Sequence, residues 1–229
     1  MRLDRFIENT LSYSAQTVRH LFAERKIFLN GIAVDKGRHQ ISAFCRVEVE
    51  GNSLQARTPA YLMMNKPKGC VSATSDIKNM TALDLIDLPN KNDLHLAGRL
   101  DFNSTGLLLL TNDGTWSRKI TQPQQKTPKT YWVETLDEIT AEYASKFSAG
   151  MYFRFENLTT LPAELKILST NTAEITIYEG RYHQIKRMFG FFQNEVIALH
   201  RLSMGKIELD PNLLAGEYRN LTEVEISSV

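Results

Sequence analysis

The sequence predicts an α+β protein of two domains, and three observations carry that prediction. Apolar residues recur first at helical spacing and then at strand spacing, without the regular strand–helix alternation of a doubly wound sheet. A strand, an Asn-Gly turn and a second strand follow one another within eight residues. A polar stretch from Asn52 to Pro59, ending in Thr58-Pro59, separates a basic N-terminal segment from a longer remainder. With 229 residues, one or two domains are expected.

The elements follow in order. Leu3, Phe6, Ile7 and Leu11 predict a first helix, and Ser14 is the N-cap of a second whose apolar face is Val18, Leu21 and Phe22. Ile27 to Val34 reads as a hairpin about Asn30-Gly31, and Arg46 to Gly51 alternates as a further strand. The domain boundary is placed at 57/58, with 52–59 as linker. Beyond it, Tyr61 to Met64 is a buried strand ended by Asn65-Lys66-Pro67-Lys68-Gly69. Leu107 to Leu110 is a second, bounded by Thr105-Gly106 and Asn112-Asp113-Gly114, with Asp113 capping a short helix. Thr121 to Thr130 is a loop, Lys129 to Val133 a strand, and 140–148 a helix. Leu165 to Leu168 and Ala173 to Tyr178 are paired strands, and His183 to Phe192 is a helix.

Composition narrows the class. Hydrophobic residues make up 42% and charged residues 23%, which excludes disorder and collagen-like repeats. No apolar run approaches the roughly 18 residues of a membrane span, and no secretory signal stands at the N-terminus. Cys45 and Cys70 form no disulfide framework, so a reducing, cytoplasmic setting is expected. The net charge of +1 conceals an asymmetry: residues 1–57 carry nine Lys/Arg against six Asp/Glu. Thr115 to Val133 holds four basic residues and no acid, and Arg181 to Lys206 holds five against the single Glu195. Local stripes of this kind are what a polyphosphate feels within a screening length of about 8–10 Å, although solvated surface faces read the same way.

Several chemistries lack their motifs. There is no GxGxxG after a strand, no GxxxxGK[ST], no GxSxG and no zinc-type ligand pair among scattered histidines and two cysteines. Any reaction therefore runs on side chains. Three segments set polar residues against apolar strands: Gly98-Arg99-Leu100-Asp101, just ahead of a buried strand; Lys129-Thr130-Tyr131-Trp132-Val133; and Glu179 to Phe189, a glycine turn feeding a basic helix with Ile185, Met188 and Phe189 inward. Taken singly, a turn aspartate and a half-buried strand tyrosine account for the first two better than chemistry does, and a solvated basic helix accounts for the third equally well.

In this order the three segments resemble the pseudouridine synthases, in the branch acting on small-subunit ribosomal RNA. Gly-Arg-Leu-Asp before Thr-Gly-Leu-Leu is similar to the motif around that family's essential aspartate, at Asp101. Lys129 to Val133 is similar to the motif of its active-site tyrosine, at Tyr131, and Gly180 to Met188 to the motif supplying the aspartate's basic partner. Lys186-Arg187 stands where many relatives have two arginines; Lys186 is the candidate partner and Arg187 the alternative. Tyr61 to Gly69 is similar to a structural motif, and Leu213 to Thr222 to the branch's C-terminal region. Residues 1–57 resemble an S4-like RNA-binding domain, with Ala15 where an arginine often follows the serine and Arg19 as its replacement.

The resemblance implies an S4-like domain (1–57) and a larger catalytic domain (58–229) with a mixed, mainly antiparallel sheet. It implies isomerisation of a flipped-out uridine of 16S ribosomal RNA, at position 516, with Asp101 as nucleophile or base, Tyr131 against the uracil and Lys186 holding the carboxylate. Arg99, Lys129, Arg181, His183 and Arg187 are implied as substrate contacts, and Arg5, Arg19 and Lys26 as RNA contacts. No atoms are gained or lost, so no cofactor or metal is implied. The expected partner is ribosomal RNA, free or in an assembling particle, and a monomer without membrane association is expected. Two other readings stand: a sister enzyme acting on large-subunit RNA, and a non-catalytic RNA-binding assembly factor. A methyltransferase lacks the glycine-rich cofactor loop.

Overall fold

The computed structural model describes residues 1–154 and 156–229, and the chain divides into two compact units, Met1–Pro59 and Ala60–Val229. In the first unit, α1 (Leu3–Leu11) and α2 (Ala15–Ala23) precede a four-stranded sheet of order β2-β1-β3-β4. Ser14 caps α2 by accepting a hydrogen bond from the Thr17 amide. β1 (Ile27–Leu29) and β2 (Ile32–Ala33) pair across Asn30-Gly31, both at positive φ, the twist that suits a two-residue hairpin. β3 (Val47–Val49) is followed by β4 (Asn52–Gln55), which occupies part of the expected linker. A second pair of positive-φ residues, Glu50-Gly51, turns the chain back so that these polar residues complete the sheet edge. Leu3, Ile7, Val18, Leu21, Phe22, Ile27, Val47 and Val49 form a core belonging to this unit alone.

The second unit contains β5 (Tyr61–Lys66), β6 (His95–Ala97), β7 (Thr105–Thr111), α3 (Gly114–Thr121), β8 (Lys129–Thr135) and α4 (Ala141–Ser148). These are followed by β9 (Tyr152–Phe153), β10 (Leu158–Thr159), β11 (Glu164–Ile167), β12 (Thr172–Ile177), α5 (Gln184–Gly190), β13 (Val196–Met204), β14 (Ile207–Glu208), β15 (Tyr218–Asn220) and α6 (Glu223–Ser227). Nine strands make one sheet, ordered β11-β12-β8-β13-β7-β5-β15, with β14 on β13 and β6 on β7. Among the described strands the β7–β13 pair is the parallel one and the rest are antiparallel.

Leu107 to Leu110 is a continuous apolar run because β7 is covered on both faces. Leu107 and Leu109 pack with Trp116 and Ile120 of α3, while Leu108 and Leu110 pack with Leu83, Ile86 and Leu94. A third cluster sets Val133 and Ile175 of the sheet against Tyr143 and Phe147 of α4 and Met188 and Phe189 of α5. No helix among the described residues is long and apolar enough to cross a membrane.

Gly106 belongs to β7 rather than bounding it. It lies opposite Arg201 of β13 with φ +98°, and a Cβ there would fall 2.4 Å from the Arg201 carbonyl oxygen and 2.7 Å from its nitrogen. Only glycine allows the two backbones so close. Gly106→Ala is therefore expected to destabilise the protein by about 3 kcal/mol or more, measured by denaturant unfolding; a loss below ~0.5 kcal/mol would show that β13 moves aside freely.

Candidate active site

Asp101 sits in the irregular segment between β6 and β7, and its position is set by side chains from three other places. The Lys66 ammonium, at the end of β5 and wholly buried, donates to the carbonyl oxygens of Pro67 (3.0 Å), Asp101 (3.2 Å) and Ser104 (2.9 Å), with Phe102 at 3.5 Å. Ser72 Oγ donates to the Leu100 carbonyl oxygen at 2.8 Å and accepts from the Leu100 amide at 3.0 Å. Arg201 Nε donates to the Leu107 carbonyl oxygen at 2.7 Å and Nη1 to that of Arg99 at 3.4 Å. These donors replace the ladder hydrogen bonds that residues 99–104 lack. Burial pushes the Lys66 ammonium below its ordinary range, opposed by the Cys70 sulfur and the Asp101 carboxylate.

The carboxylate of Asp101 opens onto a cleft with two lobes. The inner lobe, about 90 Å³, is lined by Ser104, Tyr131, Ile185, Lys186 and Leu199; the outer, about 590 Å³, by Lys129, Glu179, Tyr182 and Arg201. Arg99, Leu100, Asp101, Tyr131, Gly180, Arg181 and His183 line both. A total of several hundred Å³ is the range of small-ligand sites. Tyr131 and Arg201 are register partners on neighbouring strands, so their side chains share a face, with the guanidinium carbon 6.0 Å from the ring centroid. Lys129 stands two residues from Tyr131 on the same strand face. Its ammonium donates to the Thr127 carbonyl oxygen at 2.8 Å, and burial lowers its pKa to about 8, helped by Arg201 and opposed by Glu179.

The third segment is shaped by a buried glutamine. Gln184 accepts from the Arg181 amide at 3.0 Å and donates to Glu179 at 2.9 Å, while Arg181 Nε donates to the other Glu179 oxygen at 2.8 Å. The turn leaves His183 left-handed at φ 49° immediately before α5, which starts one residue later than expected. His183 Nε2 then lies 3.6 Å from Asp101 Oδ1, and its ring stacks on Tyr182. Among the described residues it is the basic group within 4.0 Å of that carboxylate.

Lys186 lines the inner lobe beside Asp101 without an ion pair to it among the described contacts. Arg187 does not join them: its guanidinium pairs with Glu156 at 2.5 and 2.7 Å and lies over the Phe153 ring at 3.8 Å. In the N-terminal unit, Arg5 and Arg19 line a groove of about 680 Å³ with Arg2, Lys36 and Arg38; Arg5 also pairs with Glu8 at 2.7 Å. Lys26 is bound by Glu24 at 2.8 Å and Glu50 at 3.2 Å.

Four contributors escaped the sequence reading. Lys66 and Arg201 are the largest fully buried side chains, yet one reads as part of a turn and the other as part of a basic stripe. Ser72 belongs to no pattern, and Gln184 lies within the Gly180 to Met188 segment with nothing local to mark its role. The available signal was Lys66 itself, a charge closing an otherwise apolar strand. Lys66→Met keeps the length and removes the donor. It is expected to cost roughly 1–3 kcal/mol of stability and to lower kcat about tenfold or more through misplacement of Asp101, with the change in KM the smaller one in steady-state kinetics.

Comparison with known proteins agrees with this geometry. Residues 60–190 match the family model described as RNA pseudouridylate synthase. The chain is 49% identical to a Pseudomonas aeruginosa protein named ribosomal small subunit pseudouridine synthase A, with 100% of each covered, and 43% identical to a Vibrio cholerae protein of the same name, with 100% of this chain and 99% of the relative covered. A crystal structure of a pseudouridylate synthase superposes with a TM-score of 0.73 at 39% identity, over 100% of this chain and 99% of that one. The Asp101 carboxylate in a two-lobed cleft, and a family match over residues 60–190 that takes in Asp101, Tyr131 and Lys186, lead to one conclusion: the chain belongs to the RNA pseudouridylate synthase family and is a pseudouridine synthase.

Proposed function

We propose that the protein isomerises one uridine of small-subunit ribosomal RNA to pseudouridine, at position 516 of 16S RNA, with Asp101 as nucleophile or base. The observation that carries the reading is the presentation of the Asp101 carboxylate, anchored through its backbone and met by His183 at 3.6 Å, into a cleft walled by Tyr131. Full-length identity of 49% to a relative named for the small subunit favours that RNA over the large-subunit one.

The reaction breaks the N1–C1′ bond of uridine and forms C5–C1′; C5 loses a proton and N1 gains one, so the atoms balance within the substrate. The target base leaves its stack, at a cost of a few kcal/mol. Tyr131 offers its ring to the uracil, and Asp101 acts on the nucleotide from a backbone that does not need to reorganise. Lys186 supplies positive charge to the inner lobe, opposing the desolvation of a carboxylate covered by substrate. Arg99, Arg181, His183 and Lys129 contact the nucleotide and its neighbours.

The N-terminal unit serves as an S4-like RNA anchor, supported by its two helices on a small sheet and by the basic groove around Arg5 and Arg19. Lys26 contributes charge from the same unit, and Arg187 shapes the site from behind by its pair with Glu156. A monomer working in the cytoplasm, on free RNA or an assembling particle, completes the reading.

Two measurements test it. Wild-type protein is expected to release tritium from small-subunit ribosomal RNA labelled at uridine C5, while Asp101→Asn releases none and still binds the RNA. Release from large-subunit RNA alone would reassign the substrate, and RNA binding by wild type with no release from either would leave an assembly factor. Because each unit has its own core, residues 60–229 expressed alone are expected to stay folded by circular dichroism. Their RNA affinity should fall about tenfold or more, with a shallower dependence on salt.

A further inference from the structure

The outer lobe of the cleft carries more positive charge than its own carboxylates neutralise. Arg99, Lys129, Arg181 and Arg201 face Asp101 and Glu179 across it. Of those four cations, only Arg181 has a carboxylate within 4.0 Å among the described residues, its partner being Glu179. Asp101 is met by His183. Arg201 is the sharpest case: the residue is 1% exposed, its Nη2 has no hydrogen-bond partner among the described residues, and Nε and Nη1 donate to the backbone carbonyl oxygens of Leu107 and Arg99. Lys129 likewise donates to a carbonyl oxygen rather than to an acid.

Buried cations are ordinarily paired, because removing a charge from water is costly without a counter-charge. The buried Arg201 and the half-buried Lys129, lining one lobe with no ion pair among the described residues, are a poor arrangement for an empty protein and a good one for an anion. The strands enforce the juxtaposition. Tyr131 is the register partner of Arg201 and Lys129 lies two residues before Tyr131, so the three share one strand face and Lys129 and Arg201 line the same lobe. Gly106, opposite Arg201, contributes no side chain to fill the space.

We propose that the outer lobe is a phosphodiester subsite in which Arg201 and Lys129, with Arg99, hold the internucleotide phosphate beside the flipped uridine while the base enters the inner lobe against Asp101 and Tyr131. This rests on the reading that the cleft takes a uridine of RNA. It adds that two residues on the sheet, rather than the basic turn and helix at 179–190, fix the register of the sugar–phosphate backbone, so that C1′ stops beside Asp101. A guanidinium braced at Nε and Nη1 has its remaining donor edge oriented in advance, which favours a phosphate over a neutral group.

Binding by the full-length protein tests the proposal without turnover, by calorimetry with uridine, UMP and inorganic phosphate. UMP is expected to bind about tenfold or more tighter than uridine. Arg201→Gln and Lys129→Met are each expected to reduce that preference about fivefold or more, with the loss falling on UMP and not on uridine. Circular dichroism checks the fold of each variant, and Lys129→Met carries the test if Arg201→Gln does not fold. Equal affinities of wild type for uridine and UMP overturn the proposal. So does a preference that survives in Lys129→Met and in a folded Arg201→Gln, or an affinity for inorganic phosphate alone equal to that for UMP. Tritium release separates the two readings: release without a UMP preference removes the subsite and keeps the function, and a preference without release does the reverse.

Discussion

The contact of Gly106 with the backbone of Arg201 is the constraint on which the site depends. It brings β13 against the start of β7 as the parallel pair of an otherwise antiparallel sheet. Further along, β7 exchanges this neighbour for β6, whose partners are Leu109 to Thr111. The strand order opens where one neighbour gives way to the other, and the segment carrying Asp101 crosses that opening between β6 and β7. Sheets commonly bind ligands where strand order changes, because backbone groups and side chains there lack strand neighbours. A side chain at position 106 would push β13 away, and Arg201 with it.

What the sheet does not supply to residues 99–104, three side chains supply. Lys66, Ser72 and Arg201 bind their carbonyl and amide groups from β5, from the segment after it and from β13. An aspartate on a free loop would carry the entropy of that loop into the reaction; one held at Leu100, Asp101 and Ser104 does not. The arrangement places two buried cations near a carboxylate without an ion pair to it. Lys66 spends its donors on carbonyl oxygens and leaves the Asp101 oxygens open to substrate.

Electrostatics divides the cleft into two regions of different character. Around Glu179 charges are matched: Arg181 and Gln184 satisfy that carboxylate, and its Oε1 also accepts from the Leu161 amide at 3.0 Å. Around Arg201 and Lys129 they are not matched; burial first, and the neighbouring Arg201 second, lower the pKa of Lys129 to about 8. The matched region shapes the turn that places His183 and Lys186; the unmatched region stores attraction for an anion.

The sequence alone determined what depends on neighbours along the chain. Capping at Ser14 and Asp113, the Asn30-Gly31 hairpin and the apolar runs of β5 and β7 follow from local propensity and periodicity, and they appear where expected. The segments around Asp101, Tyr131 and Gly180 to Met188 were legible because each is short and contiguous, and the structure gathers all three at one cleft. Tertiary structure decided which charges are buried and what they meet. Arg201 belongs to a run that reads as a solvated basic stripe; it is inside because a central strand must cross the sheet beside a glycine ninety-five positions earlier in the chain. Arg187, next to Lys186 in sequence, turns to Glu156 because successive helical residues point about 100° apart. Charge pairing and burial depend on contacts between residues distant in sequence, and no local pattern encodes them.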